Sequence, residues 1–129
     1  MAELHQDRAA ATVPLAPLFV LWEGLTADLL ERTAKFPKAS RFTFTQRVEN
    51  LVIDLLELFA AAQWTSGALK REHLRASDEK LLRLRVLLRL CHTRRLLDHG
   101  GYEHVARSLD EAGRMLGGWR RHAAAAGPS

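Results

Sequence analysis

The sequence predicts an all-α protein, an antiparallel up-and-down four-helix bundle. Three observations predict it. Apolar residues recur at helical spacing in four separate segments, no segment alternates with period two over a useful length, and short connections carrying proline or glycine separate the four. At 129 residues and 47% apolar content, the chain is the size of one domain with its own core. There is no internal repeat.

The segment 1–17 is read as a flexible N-terminal region, 18–122 as the bundle domain and 123–129 as a disordered tail. Pro14 and Pro17 bracket the entry to a first helix over 18–34, whose apolar positions Leu18, Leu21, Trp22, Leu25 and Leu29 share a face. Pro37 prevents its continuation. The second helix is expected over 43–64, with Thr43 as N-cap and Gln46 closing a capping box. Its stripe is Phe44, Val48, Leu51, Leu55, Leu58 and Ala62, flanked by Val52, Leu56 and Phe59.

The third helix is expected over 69–97, with a candidate break at Ala76-Ser77 where Ser77 could cap a new start. It carries two apolar arcs. Leu81, Leu84, Leu87, Leu88 and Cys91 make one, and Leu82, Val86, Leu90 and Leu97 make the other. A helix apolar on two sides is buried on two sides. In a chain this small the second side is expected to meet another subunit. His99-Gly100-Gly101 turns into a fourth helix over 102–119, with Val105, Leu109, Ala112, Leu116 and Trp119 in line and Gly117-Gly118 weakening its last turn.

Composition excludes several classes. Cys91 is the only cysteine, so no intrachain disulfide forms. The N-terminal order, acidic and polar before apolar, is the reverse of a signal peptide's. No apolar run reaches the roughly 20 residues that span a bilayer. The expectation is a soluble, cytoplasmic protein with no membrane contact. Charge is asymmetric within a net of +4: residues 1–64 hold six Lys/Arg against eight Asp/Glu, and residues 65–129 hold thirteen against seven. Eleven of those thirteen are arginines, whose planar fork suits phosphate and carboxylate.

No catalytic constellation is visible, and the chain is read as not an enzyme. The histidines His5, His73, His92, His99, His104 and His122 form no HxxxH pair and no ExxH motif, so no metal or cofactor is expected. Cys91 and His92 are about 100° apart on a helix and do not face each other. Cys91 is therefore read as a small core residue, and Asp54 and Glu57 as a solvated acidic edge. Gly117-Gly118 lacks the strand and pattern of a phosphate loop.

The basic residues are the informative feature. Lys70, Arg71 and Arg75 open the third helix, Arg83, Arg85, Arg89, Arg94 and Arg95 follow along it, and Arg107, Arg114, Arg120 and Arg121 run down the fourth. Local partners are available for some, as in Glu79–Arg83, Arg107–Glu111 and Asp110–Arg114. Arg85, Arg89, Arg94 and Arg95 have no acid three or four residues away except Asp98. Such arginines are interface residues or a phosphate track, and a track would make binding fall steeply with salt. No aromatic-rich stretch accompanies them, which argues against base-specific readout.

KFPKASRFTFTQRVEN, LLRLRVLLRLCHTRRLL and HGGYEHVARSLDEAGRMLGGW resemble the four-helix-bundle family that includes the accessory variability determinant (Avd) of diversity-generating retroelements. The same family holds proteins encoded in 23S rRNA intervening sequences. The resemblance covers about 18–119, and the terminal GRMLGGW favours the retroelement branch. It implies a homopentameric barrel with a basic surface, partnered by a reverse transcriptase and by RNA or DNA, supporting mutagenic cDNA synthesis without being a polymerase. The contact candidates are Lys38, Arg41, Arg83, Arg85, Arg89, Arg94, Arg95, Arg114, Arg120 and Arg121. The alternative implied by the other branch is a structural protein–protein interaction module.

Overall fold

A computed structural model describes residues 16–126. The expected flexible segment before Ala16 and the last three residues of the expected tail lie outside the described residues, as do His5 and Pro14. Four helices account for the fold: α1 (Pro17–Thr33), α2 (Gln46–Gln63), α3 (Gly67–Thr93) and α4 (His99–Ala125). There is no strand among the described residues. None of these helices is long and apolar enough to cross a membrane.

Contacts between helices fix the topology. The start of α1 meets the end of α2, where the Ala16 amide donates to Gln63 Oε1 at 2.8 Å. The end of α1 meets the start of α2, where the Thr33 hydroxyl donates to Glu49 Oε2 at 2.7 Å. Helices α3 and α4 are antiparallel too, with Arg85 reaching Asp110 and Arg120 reaching Asp78. His104 of α4 lies near Asp28 of α1, closing the ring of four. One end of the bundle therefore gathers the α1–α2 connection and the α3–α4 turn.

Pro17 at the first position of α1 needs no partner for its missing N–H. The core is one cluster drawn from all four helices. Leu18, Trp22, Leu25 and Leu29 face Val48, Val52, Leu55, Phe59 and Ala62 of α2, Leu74, Leu81, Leu84, Leu88 and Cys91 of α3, and Val105, Leu109, Ala112 and Leu116 of α4. Along α2 the buried line is thus centred on Val52 and Phe59, the expected flank, while Leu51 and Leu58 are half-buried. Cys91 is fully buried, and burial pushes its thiol up to about 11. That is the opposite of what a nucleophile needs.

Helix boundaries depart from the sequence reading in five places. The Thr43–Gln46 capping box does not form: a 3-10 turn over Lys38–Ser40 runs into a π-type turn over Arg41–Thr45, which continues directly into α2 with no side-chain cap. Ser77 does not break α3. It is buried, and its hydroxyl donates to the His73 carbonyl at 2.8 Å, one turn back in an unbroken helix. Helix α3 stops at Thr93, so Leu97 belongs to the turn and is buried in the core, not on the second arc.

Helix α4 begins at His99 and not at 102, and it runs past Gly117-Gly118 to Ala125. Asp98 is its N-cap, with Oδ1 accepting from the Gly101 amide at 2.6 Å. A Cβ on Gly101 would sit 2.9 Å from that Oδ1 and 2.5 Å from Arg32 Nη1. A larger residue here would push the Arg32 and Asp98 side chains aside. Asp98→Ala is expected to cost about 1 kcal/mol, seen as a melting temperature lower by about 4 °C. An unchanged melt would mean the cap is not made.

Candidate nucleic-acid and partner interface

The ten sequence-predicted contact residues fall into three places. Lys38 and Arg41 lie in the α1–α2 connection, and Arg89, Arg94 and Arg95 lie at the C-terminal end of α3, so these five share one end of the bundle. Lys35 and Arg47 join them there, although the sequence reading did not select either. All seven side chains belong to exposed residues, and none lies within ion-pair distance of an acid among the described residues. The acids at this end are mostly engaged. Asp28 pairs with Arg32, Glu49 accepts from Thr33, Asp98 caps α4 and Glu103 faces His99 and Arg107. Glu31 remains as an exposed counter-charge.

The middle of α3 behaves differently. Arg83 pairs with Glu79 at 2.6 Å, as its spacing indicated. Arg85 is not unpaired: it reaches across to α4, with Nη1 on Asp110 Oδ1 at 2.7 Å and Nη2 on the Leu109 carbonyl at 2.8 Å. Gly113 makes room for it, since a Cβ there would lie 2.9 Å from Arg85 Nη2. Arg85 is a strut between helices. Asp110 is consequently taken by Arg85 and not by Arg114, and Arg107 pairs with Glu103 in place of Glu111.

At the far end, Arg120 pairs with Asp78 at 3.0 Å, while Arg114 and Arg121 are exposed and have no ion pair among the described residues. Arg75 bridges Glu72 and Glu79, and its hydrogen bond holds the Glu72 carboxyl below the usual carboxylate range. Lys70 sits over the Trp119 ring, 5.7 Å from its centroid. Of the cations at this end, Arg75 and Arg120 are held by acids in ion pairs among the described residues.

The turn from α3 to α4 explains how two arginines come to project at the basic end. Arg94 caps α3, and Arg95 follows in the left-handed region at φ 61°. The Arg95 amide donates to the His92 carbonyl at 3.0 Å and the Leu96 amide to the Cys91 carbonyl at 2.8 Å. This is the Schellman arrangement, whose left-handed position ordinarily belongs to glycine. An L-residue there costs about 1 kcal/mol. The position bears an arginine at the expense of stability.

The same turn brings aromatic rings together, contrary to the expectation that none accompany the arginines. His92 stacks on Tyr102 with centroids 4.4 Å apart and planes 1° apart, and His99 tilts against His92 at 5.5 Å. Across the connection, Phe36 and Phe44 pack against the core whereas Phe42, beside Arg41, is 78% exposed.

A second surface runs along the outside of α3. Leu82, Val86 and Leu90, spaced one turn apart, are 61%, 64% and 46% exposed. Between α2 and α3 lies a groove of about 470 Å³, floored by Leu51 and Leu87 and rimmed by Arg47, Asp54 and Arg83. The expected second apolar arc is thus present from Leu82 to Leu90. Among the described residues no three His, Cys, Asp or Glu side chains gather to hold a metal.

No curated protein and no solved structure matches the chain. A family model described as bAvd-like matches residues 22–123. That span takes in α1 from Trp22, both connections at the basic end, and α4 to Ala123. The match covers most of the chain and all four helices of the bundle, and on it the chain belongs to the bAvd-like family.

Proposed function

We propose that this chain is a non-catalytic accessory protein of a diversity-generating retroelement, acting in the cytoplasm by binding the element's reverse transcriptase and the nucleic acid it copies. One observation carries the nucleic-acid part. Lys35, Lys38, Arg41, Arg47, Arg89, Arg94 and Arg95 share one end of the bundle with no acid paired to them among the described residues. Cations spent on internal ion pairs stabilise the fold, whereas unpaired ones concentrate a field that draws in a polyanion. Family membership supports the polymerase as partner. The test is the salt dependence of RNA binding by the purified protein. If all seven cations meet phosphates of a single strand, log K should fall against log salt with a slope of about −5. A slope near zero would sink the reading.

The assembly we propose is a homopentamer, with Leu82, Val86 and Leu90 of α3 covered by a neighbouring copy. Their exposure and one-turn spacing support a helix-packing contact. Val86→Glu should reduce the particle mass to that of one chain while leaving the helical circular-dichroism signal intact. An unchanged mass would exclude this face.

A further inference from the structure

An exposed phenylalanine among unpaired cations needs its own explanation. Phe42 is 78% exposed, while its neighbours Phe36 and Phe44 supply the packing that fixes the connection. The π-type turn over Arg41–Thr45 leaves Phe42 outside, next to Arg41. At the same end, His92, Tyr102 and His99 form a cluster of rings at the α3–α4 turn that carries Arg94 and Arg95. His99 belongs to an exposed residue, and His92 and Tyr102 are half-buried, so the cluster is open to solvent on one side.

Aromatic surface and cations in one place fit a ligand with flat apolar faces and regularly spaced negative charge. A single nucleic-acid strand has both. In a duplex the base faces are stacked on one another, and only phosphates and groove edges remain for the protein. Cations alone bind either form, whereas stacking rings select the form whose bases are free. The second apolar arc on α3 lacks this character, since Leu82, Val86 and Leu90 are aliphatic and offer no ring to stack on.

We propose that the basic end recognises single-stranded nucleic acid, with unpaired bases stacking on Phe42 and on the His92–Tyr102–His99 cluster while phosphates lie against the adjoining arginines. This rests on the proposed binding of nucleic acid at that end. It adds strand selectivity, tolerant of base sequence because every base presents a π-face. Tyr102 packs partly against the core, so the informative substitutions are at the exposed positions, Phe42→Ala and His99→Ala.

The experiment is fluorescence anisotropy with the full chain, a labelled 20-nucleotide single strand and the duplex of the same sequence, at one salt concentration. The wild type is expected to prefer the single strand. Phe42→Ala should weaken single-strand binding about tenfold, His99→Ala should weaken it by a smaller factor, and duplex binding should be unchanged in both. If both variants bind both forms like the wild type while Arg94→Glu/Arg95→Glu loses both, nucleic-acid binding stands and stacking is overturned. If the wild type binds neither form at low salt, the proposed function itself falls. If Phe42→Ala instead changes the particle mass, the ring is covered by another copy of the chain and the inference is likewise overturned.

Discussion

Trp22→Ala is expected to destabilise the protein by about 4 kcal/mol, out of a total of about 5–15 kcal/mol for a domain of ordinary stability. Trp22 is fully buried on α1 and meets the Phe59 ring of α2 edge-on, with centroids 5.5 Å apart and planes at 86°. Its indole Nε1 donates to the Val52 carbonyl at 2.9 Å, so the largest side chain in the core also satisfies its one polar group there. Alanine would remove both the packing and the edge-to-face contact, leaving a cavity at the α1–α2 seam. Trp22→Phe should cost much less, because Val52 O has a second lone pair and keeps its place in the helix ladder. Urea unfolding followed by circular dichroism measures both. A loss below about 1 kcal/mol for alanine would mean that the α1–α2 seam collapses to fill the space, and that Trp22 is not an anchor.

The helices were legible because their apolar spacing is determined by the core they share. Trp22, Leu55, Leu84 and Leu109 could be placed inward from sequence alone, and each is buried. The ends were harder to read, because caps depend on local geometry that several residues compete to supply. Thr43 and Gln46 have capping-box spacing, but the π-type turn carries the chain through them without a cap, and Asp98 caps α4 two residues before the glycines that looked like the turn. Ser77 reads as a cap by type, yet a hydroxyl can also bond the carbonyl one turn back and stay inside a helix.

The site was legible as a composition and only partly as a place. Arg94 and Arg95 stood out because no local acid beyond Asp98 could pair with them. Arg85 looked the same, but its partner Asp110 is on the next helix, and no spacing rule along one helix reveals that. Arg47 was not selected, and it joins the basic end only when α2 folds back antiparallel to α3. The ring cluster was hidden for the same reason: His92 and Tyr102 are ten positions apart and meet through the turn between α3 and α4.

Arg94→Glu/Arg95→Glu is expected to weaken single-strand binding by more than about 25-fold at 0.1 M salt, since each phosphate contact is worth about fivefold there and reversal adds repulsion. Loss of binding in a charge reversal can also follow from damage to the turn, and Arg95 permits a cleaner separation. Its backbone is left-handed at φ 61°, in the position of a Schellman turn that glycine occupies without strain. Arg95→Gly should therefore raise stability by about 0.5–1 kcal/mol while lowering affinity about fivefold and making the salt slope shallower by about 0.7. Thermal unfolding and RNA titration on the same preparation read the two effects independently. A more stable variant that binds less well would mean that the side chain is kept for contact and not for the fold. If stability rises and binding is untouched, Arg95 is not a contact, and the basic end must be narrowed to the α1–α2 connection and Arg94. Should stability fall, the guanidinium itself supports the turn, and strain at φ 61° is the wrong account of why the position can be changed.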